Sequence, residues 1–224
     1  MGMVASAAIT VGFAAAVRRL GRRSGATDGE LGQSLPGDEL VLDAVLVCDR
    51  AATYDVPAEQ LWPWLVQLGK GRAGWYFPAP LRSVTDRISG MRGADQVSPQ
   101  WQDLAPGDFV PDYGPGEPLF RAEVVDPPHV LAYLTLRDSG DRHRWPTVDN
   151  PIPRDVFALS FGSYLIDLPG GRSRLHLRVR CRPARPWRFP AATAALAGCL
   201  DWLTVTPLFA GLRQRVTNCS GQSS

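Results

Sequence analysis

The stretch RSRLHLRVRCR, Arg172–Arg182, carries the most regular pattern in the chain. Leu175, Leu177, Val179 and Cys181 alternate with Arg174, His176, Arg178, Arg180 and Arg182. A period of two marks a β-strand with one buried face. The arginine face is expected to meet water, because antiparallel sheets commonly leave one face solvated. His176 then reads as a surface histidine. Pro169-Gly170-Gly171 is a turn, and Val156–Leu168 is the other arm of a hairpin.

Toward the N-terminus, Val130–Leu136, Leu119–Val125 and Asp108–Tyr113 read as short strands, parted by Asp126-Pro127-Pro128 and Gly114-Pro115-Gly116. Asp43–Val56 is a further strand, ended by Pro57. Over Ala58–Leu68 the period changes: Leu61, Trp64, Leu65 and Leu68 recur at three and four, which marks one face of a helix. Pro63 places the regular start of that helix near Trp62. A second short helix is expected over Leu81–Met91, and a long loop over Arg137–Arg154. Beyond Pro190, Leu196, Leu200 and Leu203 and then Leu208, Leu212 and Val216 define a C-terminal helix, which Pro207 is expected to kink or divide. The fold class is α+β: a curved antiparallel sheet of six or seven strands around a long C-terminal helix, with Leu200 and Leu203 turned toward the sheet.

Composition sets the limits. The chain has 224 residues, 45% hydrophobic and 21% charged, which is ordinary for a globular protein. A net charge of +2 is too small to argue for nucleic acid. Of 24 basic residues only Lys70 is a lysine, a bias that coding composition explains as well as function does. The four cysteines, Cys48, Cys181, Cys199 and Cys219, form no C-x-x-C pair and read as unpaired structural thiols. His129, His143 and His176 are scattered, so neither a metal site nor a cofactor is expected. No G-x-S-x-G elbow and no G-x-x-x-x-G-K-[ST] loop occurs. Gly69–Gly74 is glycine-rich but follows a helix, whereas a phosphate loop precedes one.

The segment from Met3 to Val17 is apolar, rich in small residues, and followed by Arg18, Arg19, Arg22 and Arg23. It is short of the roughly 20 residues a spanning helix needs, and its charges follow the apolar run, where a secretory signal has them in front. Three readings stand open: a short membrane anchor with a cytoplasmic basic end, a helix lying on the fold, or a misassigned start. The first two place the domain in the cytoplasm, membrane contact being through residues 3–17. The chain divides into this segment with its basic flank (1–24), a lead-in linker (25–42), the ligand-binding domain (43–218) and a tail (219–224).

Certain stretches carry a resemblance. Gly25-Ala26-Thr27-Asp28, Leu35-Pro36-Gly37-Asp38-Glu39-Leu40, Trp62-Pro63-Trp64-Leu65-Val66-Gln67-Leu68-Gly69, Gly71-Arg72-Ala73-Gly74-Trp75-Tyr76, and Trp101-Gln102-Asp103-Leu104 running into Pro106-Gly107-Asp108 resemble actinobacterial members of the START-like superfamily, which includes polyketide cyclases. They cover about residues 25 to 110; the rest is similar only in pattern. Relatives commonly carry a polar or acidic residue soon after the Trp-Tyr pair, where this chain has Phe77-Pro78-Ala79-Pro80. The resemblance implies the helix-grip fold and a cavity, and no particular reaction.

Aromatic side chains with a few polar groups are what a small-ligand pocket needs. Trp64, Trp75, Tyr76, Trp101, Phe157, Phe161 and Tyr164, with Trp62 and Phe109, lie where this fold has its cavity walls. Arg72 and Asp108 stand beside glycines at element ends and are the polar candidates, expected to lie near one another at the cavity mouth. The preferred function is a carrier or sensor of a small apolar molecule, lipid or polyketide-like, without catalysis and with no catalytic residue assigned. An aromatase/cyclase-type enzyme is the alternative, which needs a general acid or base inside the cavity. A membrane-held interaction module with a filled core is the third.

Overall fold

The computed structural model describes residues 23–82, 92–113, 118–138, 145, 152–184 and 191–220, with the side chains of 191–196, 199, 219 and 220 excepted. The segment 3–17 and most of the helix expected over Leu81–Met91 lie outside the described residues.

Seven strands form one sheet: β1 (Arg23–Ser24), β2 (Leu46–Tyr54), β3 (Phe109–Pro111), β4 (Leu119–Asp126), β5 (Val130–Arg137), β6 (Phe157–Leu168) and β7 (Arg172–Arg182). Their spatial order is β1-β2-β7-β6-β5-β4-β3. Every pairing is antiparallel except the short parallel contact of β1 with β2. The alternating stretch is β7, with the bounds its pattern predicts, and it sits between β2 and β6. Helix α1 (Asp28–Gly32) precedes β2, α2 (Ala58–Val66) follows it, and α3 (Ala191–Ser220) closes the chain. This is the helix-grip architecture: a curved sheet whose apolar face is covered by the last helix.

Several elements differ in detail from the sequence reading. Helix α2 starts at Ala58, with Pro63 inside it. Helix α3 runs unbroken past Pro207. Leu200 and Leu203 are 55% and 57% exposed, so the expectation that they face the sheet fails. The buried stripe is the adjacent one, Gly198, Val205, Leu208, Leu212 and Val216. At its lower end Gly211 lies so close to the chain at Tyr76 that a Cβ there would stand 2.3 Å from the Tyr76 carbonyl oxygen. At its upper end the stripe passes through Asp201, whose carboxylate meets Arg50 of β2 at 2.7 Å. That buried charge on the sheet requires a carboxylate opposite it. Bringing Asp201 inward turns Leu200 and Leu203 out.

The arginine face of β7 is not wet. Residues 25–42, read as a linker, are folded across it. Thr27 and Glu30 make a capping box that starts α1, and a 3-10 turn at Asp38–Val41 ends on the buried Val41. Arg178, 3% exposed, donates to Asp49 Oδ1 at 2.7 Å, to Asp38 Oδ2 at 2.8 Å, and to the carbonyls of Glu30, Leu31 and Gln33 where α1 ends. Arg174 donates to Glu30 and to the Gly25 carbonyl, and Arg180 to the Val41 carbonyl. His176, fully buried, lies 2.7 Å from the same Asp49 Oδ1. A guanidinium offers five donors in a rigid fork, so a row of arginines can bind a passing chain by its carbonyls. The alternation reports which face is polar; it does not report whether water or peptide fills the polar face.

Asp49 is the hub: its removal takes the shared acceptor from both Arg178 and His176 and leaves Arg178 with Asp38 as its remaining carboxylate. Asp49→Ala is expected to cost about 2–3 kcal/mol, read from the urea midpoint; a loss below about 1 kcal/mol would show that the cluster does not hold the lead-in. The hydrogen bond from Arg174 holds the Glu30 carboxyl well below its ordinary 4.5, at about 2. Its folded value is the lower, so its contribution is present above about pH 4.5 and is lost as pH falls toward 2. Glu30→Gln is expected to flatten that part of the stability–pH curve, measured by thermal melts across the range.

Candidate functional site

Between the sheet's inner face and the upper half of α3 lies a cavity of about 350 Å³. Alternate residues of four strands form its floor: Leu46 and Cys48 of β2, Val179 and Cys181 of β7, Phe157, Leu159 and Phe161 of β6, and Leu131 and Tyr133 of β5. Ala197 and Val205 form the roof, and Leu65, Leu68 and Trp75 a side wall. The space exists because α3 presents Ala197 and Gly198 here, small residues that cannot fill the gap above a curved sheet. Trp75 ties the wall to the roof, its indole N–H donating to the Thr204 carbonyl at 3.2 Å.

A few polar groups open onto this apolar space. Among the described residues the Tyr133 hydroxyl, in a residue 7% exposed, is buried with no hydrogen-bond partner, and burial raises its pKa. Asp201 lies in the roof; burial lifts its carboxyl to about 6 against the opposing pull of Arg50. Arg50 itself also donates to the carbonyls of Gly198 at 3.0 Å and Asp49 at 3.1 Å. Asp112, just past β3, lines the far end, and burial again raises its pKa. Ser163 completes the set. The wall thiols Cys48 and Cys181 form no disulfide among the described residues, and burial pushes Cys181 up to about 12, which makes it inert at neutral pH.

Of the eleven residues singled out in the sequence, Trp75, Phe157 and Phe161 stand in the cavity wall. Trp64 and Tyr76 form a knot behind it: their rings meet edge-on at 5.7 Å, the Tyr76 hydroxyl donates to the Trp64 carbonyl, and Arg215 lies 4.4 Å over the Tyr76 ring. Arg72 donates to the carbonyls of Val66 and Trp101 and lies 4.7 Å over the Trp101 ring, stapling loop to helix. Asp108 accepts the Ala105 N–H at 2.8 Å. Its charge reaches Arg72, yet no ion pair joins the two among the described contacts. Tyr164 points to the opposite face of the sheet, its hydroxyl donating to the Pro36 carbonyl at 2.8 Å. Trp62 is core, and Phe109 is half-exposed against Trp145. Gly69-Lys70-Gly71-Arg72-Ala73-Gly74 has the spacing G-x-G-x-x-G, but it leaves α2 and closes on itself through a Gly69–Gly74 bridge, so it cradles no helix N-terminus.

Sequence reasoning missed Asp112, Tyr133, Asp201 and Arg50. One signal was available for Asp201: it is the single charge in the helical run from Ala191 to Pro207. Among the described residues, no three His, Cys, Asp or Glu side chains gather closely enough to hold a metal ion.

No family model matches the chain, and no curated protein does. Solved structures with a similar course include a protein from Arthrobacter aurescens, 11% identical over 77% of this chain and 87% of that one, with a TM-score of 0.43. Ara h 8.0201 is 13% identical, with 77% and 97% covered and a TM-score of 0.43. An HSP90 activator from Plasmodium falciparum is 14% identical, with 73% and 91% covered and a TM-score of 0.39. Likeness at this level transfers no function.

The Arg50–Asp201 pair tests how the roof is set. Asp201→Ala should cost about 3–5 kcal/mol by stranding Arg50, while the double variant Arg50→Met/Asp201→Leu should recover most of that loss. Chemical unfolding of the two singles and the double closes the cycle. The raised Asp201 carboxyl makes stability fall as pH rises from 3.8 toward about 6, a trend the double variant should lack.

Proposed function

We propose that this protein binds a small apolar molecule in the cavity between sheet and helix and carries or senses it unchanged. The observation that supports this best is the open space itself: about 350 Å³ walled by aliphatic and aromatic side chains, with the Tyr133 hydroxyl buried and unpartnered against it. Pockets for small ligands run from about 300 to 1,000 Å³ and pair apolar walls with a few placed polar groups. A buried hydroxyl without a partner costs about 1–3 kcal/mol, a cost that a ligand's polar group would remove. The interaction-module reading needs a filled core, and the open space counts against it.

A second reading has one specific support. Asp201 is a cavity carboxyl poised near 6, which is where a general acid or base works best at neutral pH. An aromatase/cyclase-type reaction on a polyketide-like substrate would use it. Its ion pair with Arg50 gives it a structural role as well, so binding without catalysis remains the preferred reading. Among the described residues, no helix is long and apolar enough to cross a membrane. We place the domain in the cytoplasm, with any membrane contact through residues 3–17.

Fluorescence of the uncharged probe N-phenyl-1-naphthylamine tests the cavity. The probe should brighten on saturable binding, and Leu159→Trp, which fills the floor, should weaken it by about tenfold while shifting the melting temperature by no more than about 5 °C. Saturable binding unaffected by Leu159→Trp would put the probe elsewhere and sink the assignment. Native mass spectrometry of protein from its own host should then show a co-purifying apolar compound.

A further inference from the structure

We propose that the ligand of this cavity is an apolar amine, its ammonium held by the Asp112 carboxylate and its hydrocarbon body against the aromatic wall; this rests on the binding function proposed above. The charges lining the cavity are of one sign. Asp112 and Asp201 open onto it, and no lysine, arginine or histidine does among the described residues. The two acids are not equivalent. Asp201 already faces Arg50 at 2.7 Å. Asp112 has no ion pair among the described contacts, and the one bond to its carboxylate comes from the Tyr113 backbone N–H. A half-buried carboxylate with no counter-cation is a costly group, and a ligand cation would lessen that cost.

Two nearby arginines stand outside the cavity lining. Arg50 serves Asp201 and the roof of the cavity. Arg72, whose charge reaches Tyr133, donates through one nitrogen to both the Val66 and Trp101 carbonyls and lies over the Trp101 ring, its Nε buried without a partner among the described contacts. Neither lines the cavity. The Tyr133 hydroxyl, buried and without a partner, is a second, independent acceptor opening onto the same space. The rings of Trp75, Phe120, Tyr133 and Phe161 surround it, and aromatic faces attract an ammonium more strongly once water is excluded. A carboxylic acid of the same shape would bring a second anion against Asp112 and meet no cation in the cavity lining among the described residues.

Three isosteres with one skeleton separate these possibilities: 2-(aminomethyl)naphthalene, 2-naphthylmethanol and 2-naphthoate, each titrated by calorimetry near neutral pH. The amine should bind about tenfold more tightly than the alcohol, and the carboxylate most weakly. Asp112→Asn should abolish the amine's advantage while leaving the alcohol within about threefold of its original affinity. If the alcohol or the carboxylate binds as tightly as the amine, or if Asp112→Asn leaves the amine's advantage in place, the amine assignment is wrong and the cavity reading stands. If none of the three binds and N-phenyl-1-naphthylamine fails as well, the cavity reading falls and takes this inference with it. If the naphthylamine probe binds and none of the three does, the amine assignment alone is overturned.

Discussion

Asp49 and Arg50 are adjacent in β2, and strand geometry sends them to opposite faces of the sheet. Each is buried, and each is closed by a charge from another element: Asp49 by Arg178 of β7, Arg50 by Asp201 of α3. A buried charge that loses its partner is strongly destabilising, so both partners are constrained in position. On the outer side, Arg178 passes the constraint on, because the same guanidinium holds Asp38 and the carbonyls at the end of α1. On the inner side, Asp201 fixes how far α3 is rotated about its own axis. The covering of one face and the orientation of the helix on the other both trace to this one dipeptide.

The cavity follows from that rotation. With Asp201 turned inward, the neighbours that face the sheet are Ala197, Gly198 and Val205. The two leucines that would have filled the space, Leu200 and Leu203, are exposed instead. A helix turned the other way would bury more apolar surface, worth about 1.5–3 kcal/mol for each leucine, and would take the Asp201 carboxylate away from Arg50. The ion pair therefore does more than hold helix to sheet: it keeps the upper half of the interface open where the lower half, around Leu208 and Leu212, is packed solid. A group whose stabilising effect is modest can thus have a large effect on what the fold encloses.

Much of the architecture was legible in the sequence. Period-two alternation gave β7 to the residue, and turn formers separated β4, β5 and β6 close to their actual ends. Two features were not legible. The first was the fate of the polar face, because Arg174, Arg178 and Arg180 look the same on a strand whether they meet water or the carbonyls of residues 25–42. The second was the rotation of α3. Leucine spacing offered two adjacent stripes, and the choice between them depended on Arg50, some 150 residues away in sequence and 2.7 Å away in space. Periodicity reports that a helix has an apolar side; long-range charge decides which side that is.

The same distinction separates the stretches that identify the fold from the groups that define the site. Trp64, Tyr76, Arg72 and Trp101, from the motif-like stretches between residues 62 and 108, are joined by main-chain hydrogen bonds and ring contacts into the connection that links α2 to the sheet. Of those stretches' aromatics, Trp75 reaches the cavity wall. Asp112, Tyr133, Ser163 and Asp201 lie outside them, on the edge strand's end, on mid-sheet strands and on the last helix. A scaffold must hold many main-chain contacts at once and so needs particular residues at particular spacings, which is why it can be recognised locally. A cavity needs only that inward positions be apolar with a few polar exceptions, and those exceptions come from segments far apart in the chain. Fold is therefore read from local motifs, whereas the chemistry that selects a ligand emerges only once the sheet has curved and the helix has been set across it.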